Sequence, residues 1–236
     1  MPGLRGSSVR SWAVAIREMG PRGIADTLRM RAWSESREFG LACEAASAPA
    51  ARKAKVPVVM QPMDGPVGMV HFTAELDRVN GEEHRDVHNR VRMCANGVRT
   101  LYMSLDPEGE AIYAQWLVAP GEEAPLQETV PNQFPNLPEG EWLVEGAYTF
   151  TAFRRMGAMG DGMHQLLMAA RDAGGRRVIT YVGEENLASL RGCANAGFTL
   201  DHVRVTRHRL NVRRAIWRKP DAEAEAVWAK AVAPRS

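Results

Sequence analysis

A chain of 236 residues, 45% apolar and 25% charged, can bury one sizeable core with length to spare, and its composition is that of an ordinary soluble globular protein. A formal net charge of +2, from 30 basic and 28 acidic residues, singles out no class of partner and gives no ground for expecting nucleic acid. Cys43, Cys94 and Cys193 are odd in number and widely spaced, which excludes a disulfide framework or zinc pattern and fits a reducing cytoplasm; no apolar run is long enough for an integral membrane segment, and Trp12 to Ile16 is too short for a secretory core.

From about Val9 to Met19 the side chains of Trp12, Ile16 and Met19 share one face, as in a helix that Gly20-Pro21 then breaks. A second helical piece is expected from Ile24 to Trp33. Arg10, Arg17, Arg22, Arg29 and Arg31 make this arm basic. It reads as an amphipathic arm packed on the core with arginines outward, a surface helix for a membrane, nucleic acid or an acidic partner being the alternative. Arg37 to Glu44 suits a strand, and Ala45 to Lys55, rich in Ala, Ser and Pro, a linker. The expected division is therefore a basic helical arm and linker over 1–55, a main domain over 56–219 and a C-terminal helix over 220–236.

Within the main domain, Val58 to Met60 suggests a first strand, and about Phe72 to Asn96 is polar and helix-like. His84 and His88 are four apart, a spacing that can hold zinc. The metalloprotease pattern needs Glu where Arg85 stands and no third ligand is evident, so no metal is expected. Thr100 to Leu105 and Ala111 to Val118 form a hairpin around Asp106-Pro107-Glu108-Gly109. Ala119 to Pro138 reads as a long loop suited to lining a substrate pocket. A strand from Glu141 to Phe150 follows. Further on, Thr199 to Leu210 and Val212 to Trp217 suggest two closing strands carrying Arg204, Arg207, His208, Arg209, Arg213, Arg214, Arg218 and Lys219. A solvated sheet face accounts for these charges; an acidic substrate or carrier is the sharper reading. Asp221 caps a last helix to about Val232.

The stretch from Tyr148 to Phe198 organises the rest. An apolar strand leads to Arg154 and Arg155 and a loop with Gly157, Gly160 and Gly162. Behind it Met163, Leu166, Leu167 and Ala170 recur on one helix face, which Gly174-Gly175 ends. Val178 to Val182 is a short continuous apolar run, as in a strand buried on both faces. Asn186 can cap a second helix, with Leu187, Leu190 and Ala194 on one face and Gly197 at its end. A glycine turn before a helix start lets backbone N–H groups and the helix dipole meet an anion, typically phosphate; the plain alternative is an ordinary strand-to-helix turn with solvated arginines. The spacing is not the dinucleotide fingerprint, and Gly183 stands where that fold needs an acid.

Two motifs in this stretch resemble those of the GNAT acyltransferase superfamily. Arg154, Arg155, Met156, Gly157, Ala158 and Met159 fall on its phosphate loop (Arg or Gln, two residues, Gly, one residue, Gly or Ala), with Met159 departing at the last position. Asn186, Ser189, Cys193, Gly197 and Phe198 match its second motif, with Cys193 in place of the usual Tyr. The resemblance implies an α/β fold: a mixed, mostly antiparallel twisted sheet with a splayed central strand pair flanked by helices, here with an N-terminal helical arm added. It also implies direct acyl transfer, with no covalent enzyme intermediate, from acetyl-coenzyme A or another acyl-coenzyme A to an amine.

In that picture the backbone from Arg154 to Gly160 holds the diphosphate, and Tyr148, Thr149 and Phe150 pair with the pantetheine arm as a strand would. Asn186 and Ser189 lie further along the cofactor. Glu145, on the strand before the loop, stands where the superfamily often keeps a carboxylate, and is either the general base or an edge-exposed acid. Cys193 can stand in for the missing Tyr as proton donor or can simply pack; Tyr148 or water can serve instead. A nucleophilic Cys193 would make a hydrolase, but nothing places a histidine beside it. A small-molecule amine is the expected acceptor, and a homodimer is left open. The alternatives are a non-catalytic acyl-coenzyme A-binding module, or a transferase using a longer acyl chain or an acyl-carrier protein.

Overall fold

A computed structural model of the chain describes residues 33–50, 53–98, 100–129, 133–209 and 212–233, so the helical pieces expected before residue 33 lie outside the described residues. The chain forms two compact units, one of residues 37–204 with 217–236 and one of 1–36 with 205–216. In the smaller unit Val205 and Thr206 are buried, and Arg207 pairs with Glu35 at 2.7 Å.

The described elements are β1 (Trp33–Glu44), β2 (Gln61–Met63), α1 (Gly65–Leu76), α2 (Gly81–Ala95), β3 (Leu101–Leu105), β4 (Ala111–Val118), α3 (Ala124–Thr129), β5 (Glu141–Thr149), α4 (Ala158–Asp172), β6 (Arg177–Gly183), α5 (Leu187–Asn195), β7 (Thr199–Arg209), β8 (Val212–Arg218) and α6 (Ala222–Val232). The sheet runs in the order β2-β3-β4-β5-β6-β1-β7-β8. Neighbours from β2 to β5 are antiparallel, β5 and β6 are parallel, and β6 and β1 antiparallel again. The parallel pair follows from the chain itself, because α4 carries it from the end of β5 back to the start of β6. On α4 the buried face is Met163, Leu166, Leu167 and Ala170, the apolar stripe expected from the spacing. All eight residues of β4 are buried, as its almost unbroken apolar run requires.

Several elements differ from the sequence expectation, each for a local reason. The first strand is not Val58 to Met60 but Gln61–Met63, which includes Pro62; as the edge strand it can lack a donor. Residues 58–60 are instead tied down by Ser104 Oγ, which accepts from Val59 N at 3.0 Å, and by Gln165, which accepts from Met60 N at 2.9 Å. The single helical stretch from Phe72 to Asn96 is two helices broken at residues 77–80. The first starts earlier because Pro66 sits in its first turn, where the missing N–H costs nothing. The loop from Ala119 to Pro138 contains α3 and buries Leu126, Phe134 and Leu137. β1, grouped with the arm in the sequence reading, pairs with β6 from Glu38 opposite Gly183 to Glu44 opposite Arg177, and its Phe39 and Leu41 are fully buried.

Candidate active site

The pairing of the parallel strands stops early. Glu141, Trp142 and Leu143 of β5 face Arg177, Val178 and Ile179 of β6, and no pair follows. Beyond that point the strands part, and the gap holds a cavity of about 130 Å³. Glu145, Gly146 and Ala147 line it from β5, Thr180 to Gly183 from β6, Met159 and Met163 from α4, Asn186, Ser189 and Cys193 beside and on α5, and Arg90 from α2. Thus Glu145, Met159, Asn186, Ser189 and Cys193, five of the residues singled out from sequence, meet in one cleft.

The β5 side of the cleft is irregular. Trp116 of β4 pairs with Glu145 and Ala114 with Tyr148, so β5 carries one extra residue opposite Gln115. Gly146 takes φ +66° there, and a Cβ on it would lie 2.8 Å from the Trp116 ring. Only glycine meets both conditions. Glu145 is half-buried, and burial pushes its carboxyl up to about 7; Arg204, a hydrogen bond from the Gly146 backbone and Arg90 pull it down, while Glu38 pushes it up. A carboxylate that titrates there suits a general base at neutral pH.

On the opposite wall Cys193 is fully buried, its sulfur 3.9 Å from Met163 Sδ, and burial pushes its thiol up to about 12. Asn186 caps α5, its side chain accepting from Ser189 N at 3.1 Å. Met159 lies over Gly192, where an added Cβ would come within 2.6 Å of its sulfur.

The loop behind the cleft begins with a 3-10 turn at Thr151–Phe153. Arg155 is exposed at φ +63°, and Gly157 at φ +85° is the N-cap of α4; with no side chain to cap the helix, Gly157 leaves its first amides open to an anion. Ala158 is buried and Gly160 lies inside the first turn, so the glycine loop is shorter than the sequence suggested. Asp161 in the same turn is turned aside: it accepts from Ala54 N at 3.0 Å and from Gln165 at 2.9 Å. Lys55 N also donates to Met156 O at 2.7 Å, so the linker crosses the loop.

The side chains of Tyr148, Phe150 and Arg154 have partners away from the cavity, and Thr149 pairs with Tyr113 in the sheet. The Arg154 guanidinium pairs with Glu83, donates to Tyr148 Oη at 3.0 Å and, through Nε, to Thr149 O at 3.2 Å. Tyr148 in turn donates to Glu75 at 3.0 Å, and its burial beside Glu75 raises its pKa. Glu75 is almost fully buried and also accepts from Thr151 N at 2.8 Å and Thr151 Oγ at 2.6 Å. Phe150 stacks on Phe72 at 5.5 Å. Glu75, Glu83 and Arg90 were not singled out from sequence. Glu83 and Arg90 sit among many charges on the polar α2, Glu75 is a single acid on the largely apolar α1, and no local spacing marks any of the three. His84 and His88 are exposed on α2, and among the described residues no three metal-ligating side chains converge. Among the same residues no helix is long and apolar enough to cross a membrane.

No family model and no curated protein matches the sequence. Solved structures do resemble the fold. A Drosophila protein matches with a TM-score of 0.51 at 10% identity, over 86% of this chain and 59% of its own. The GCN5-related glucosamine N-acetyltransferase region of a fungal multi-domain β-N-acetylglucosaminidase matches with 0.51 at 11%, over 83% of this chain and 22% of that one. A GCN5-related N-acetyltransferase from Sphaerobacter thermophilus scores 0.49 at 12% identity, over 92% and 71%. The chain therefore spans less than two thirds of the length of the first two proteins. With the parted parallel strands, the glycine-capped α4 and the capped α5 in place, the chain has the fold of the GNAT acyltransferase superfamily.

Proposed function

We propose that the chain moves a short acyl group, acetyl first, directly from acyl-coenzyme A to an amine. The observation that carries this is Glu145 in the gap between β5 and β6, half-buried and titrating at about 7. At neutral pH a large fraction is ionised, yet the group is basic enough to take a proton. The first-turn amides of α4 and the loop from Arg154 to Gly160 would receive the diphosphate, and the unpaired edge of β5 the pantetheine arm. Glu145 removes a proton from the attacking ammonium. The nitrogen lone pair then forms the C–N bond as the C–S bond breaks, and the thiolate leaves with that electron pair. As the amide forms, the nitrogen sheds its second proton, and water relays it to the departing thiolate. Cys193 is a poor donor here: an ordinary thiol has a pKa of roughly 8.5, so transfer from a thiol at about 12 is uphill by about 5 kcal/mol. The buried, free Cys43, Cys94 and Cys193 agree with a cytoplasmic setting.

A binding module without turnover is the second reading. One observation favours it: Cys193 keeps its proton to about 12 and the Tyr148 hydroxyl is committed to Glu75, so neither is a ready acid for the sulfur. Titration calorimetry with acetyl-coenzyme A, then thiol release across a panel of small amines, separates the two. The transferase reading expects binding and, with some amine, turnover that Glu145→Gln slows at least about a hundredfold without loss of binding. Binding with no thiol release from any amine supports the module, and no binding refutes both.

A further inference from the structure

We propose that Arg90 is a positioning residue of this site, clamping the β5 bulge so that Glu145 faces the cleft. The inference rests on the transferase reading above. Residues three apart on a regular strand point to opposite faces, yet Glu145 pairs with Trp116 and Tyr148 with Ala114, two positions of β4 that share a face. The extra residue in β5 produces this, so Glu145 is directed toward α2 only while the bulge persists. A bulge leaves backbone groups without ladder partners, and Arg90 supplies the donors. Its Nε donates to Gly146 O at 3.0 Å and its Nη2 to Ala147 O at 2.8 Å. Its Nη1 donates to Asp86 O at 2.8 Å, which fastens the guanidinium to its own helix. The group also lies over the Tyr148 ring, 4.9 Å from its centre. Arg90 lines the same cavity as Glu145.

Two consequences follow for the base. The clamp fixes the Gly146 amide, which hydrogen-bonds the Glu145 carboxylate. It also places a cation near that carboxylate, alongside Arg204 from β7; Glu38 from β1 acts in the opposite sense, and Tyr181 from β6 and Cys193 from α5 face the same group. Lysine keeps the charge but lacks the fork that spans two carbonyls, so the two effects can be parted.

The test uses the full chain with carboxyl-¹³C glutamate, the Glu145 signal being assigned by its loss in Glu145→Gln. Arg90→Gln is expected to raise the Glu145 midpoint by roughly half a pH unit or more, and Arg90→Lys to leave it near the wild-type value. Both variants are expected to speed hydrogen exchange of the amides of residues 146–148 at least about tenfold. Acetyl-coenzyme A affinity by calorimetry should stay within about threefold of wild type. Unchanged exchange in either variant, or an unchanged midpoint in Arg90→Gln, overturns the clamp. If Arg90→Gln does not fold, exchange in Arg90→Lys decides alone. Failure of wild-type protein to bind acetyl-coenzyme A would refute the transferase reading instead, and none of the magnetic-resonance outcomes depends on it.

Discussion

Replacing Glu145 by Gln should stabilise the protein in alkali while it disables the site. The carboxyl titrates at about 7 in the folded chain against an ordinary 4.5, because burial disfavours its charge. A group whose folded pKa is raised contributes stability that is complete below the unfolded value and is lost as pH rises through the folded one. The loss therefore builds up between about 4.5 and 7 and is constant above. Over that window a shift of about 2.5 units corresponds to roughly 3 kcal/mol. At pH 5 a part of it, about 1 kcal/mol, is already lost, so the change between pH 5 and pH 8 is about 2.5 kcal/mol. Glutamine has a similar shape and no charge, and so escapes the penalty. Urea unfolding of both proteins at pH 5 and pH 8 gives the comparison without knowledge of the acceptor. The variant should gain about 2 kcal/mol or more on wild type between the two pH values. An equal difference at both pH values would mean that Glu145 titrates as a solvated carboxylate, and the argument for it as a tuned base would fail.

Cys193→Ala should keep acyl transfer within about tenfold and cost about 1 kcal/mol or more of stability, since the thiol is buried against Met163; a fall of roughly a hundredfold in kcat would make it the proton donor after all. Gly157→Glu should abolish acetyl-coenzyme A binding, read by calorimetry against Gly157→Ala. The control is needed because φ is +85° there and a Cβ would lie 3.4 Å from Ala54 Cα, so any side chain costs about 1–2 kcal/mol before charge acts. Equal affinities in the two variants would remove the diphosphate from this loop.

How much of this was legible depends on the range of the interaction that decides each feature. The strand, loop and helix around Gly157, and the cap at Asn186, are set by neighbours within a few residues, and the structure has them where the spacing puts them. Glu145 and Cys193 were each picked out by the resemblance, and that they line one cleft is seen only in the fold. The bulge did not, because it depends on the Trp116 ring against Gly146 and on a guanidinium from another helix. Likewise Arg154 reads from sequence as charge for a diphosphate beside the glycines, but Glu83, far away in the chain, pairs with its side chain, with Tyr148 nearby. α1 starts at Gly65, ahead of the expected Phe72, with Pro66 in its first turn, where proline begins a helix and does not break it. The strand β1 reads as a strand locally, but nothing in its residues names β6 as its partner.

Arg204 ties together the strands beside the cleft, and its removal gives the sharpest test of how that wall is built. The side chain is 2% exposed, contacts Glu38 Oε2 through Nε at 3.0 Å and Nη2 at 2.8 Å, and donates through Nη1 to Gln133 O. It also lies over the rings of Tyr181, 4.0 Å from the centre, and Phe134, 5.2 Å from it. It thus joins β7, β1 and the segment after α3 on the side that Tyr181 shares with the cleft. Replacing it by Met would leave a carboxylate and a carbonyl without their donor, at a cost of about 3 kcal/mol. The lower end of the usual range applies because Glu38 retains 24% exposure. Most of that cost is the stranded Glu38 charge, so Glu38→Gln in the same chain should recover about 1–2 kcal/mol. The same loss removes the largest influence holding Glu145 down, so the Glu145 midpoint should move above 7 and the acid limb of any turnover profile with it. Denaturant unfolding of the four proteins of the cycle, with the Glu145 carboxyl followed by magnetic resonance, reads both effects. Additive costs within about 0.5 kcal/mol and a stationary midpoint would show that Arg204 holds neither the segment nor the base, and that the aromatic contacts of Phe134 and Tyr181 suffice.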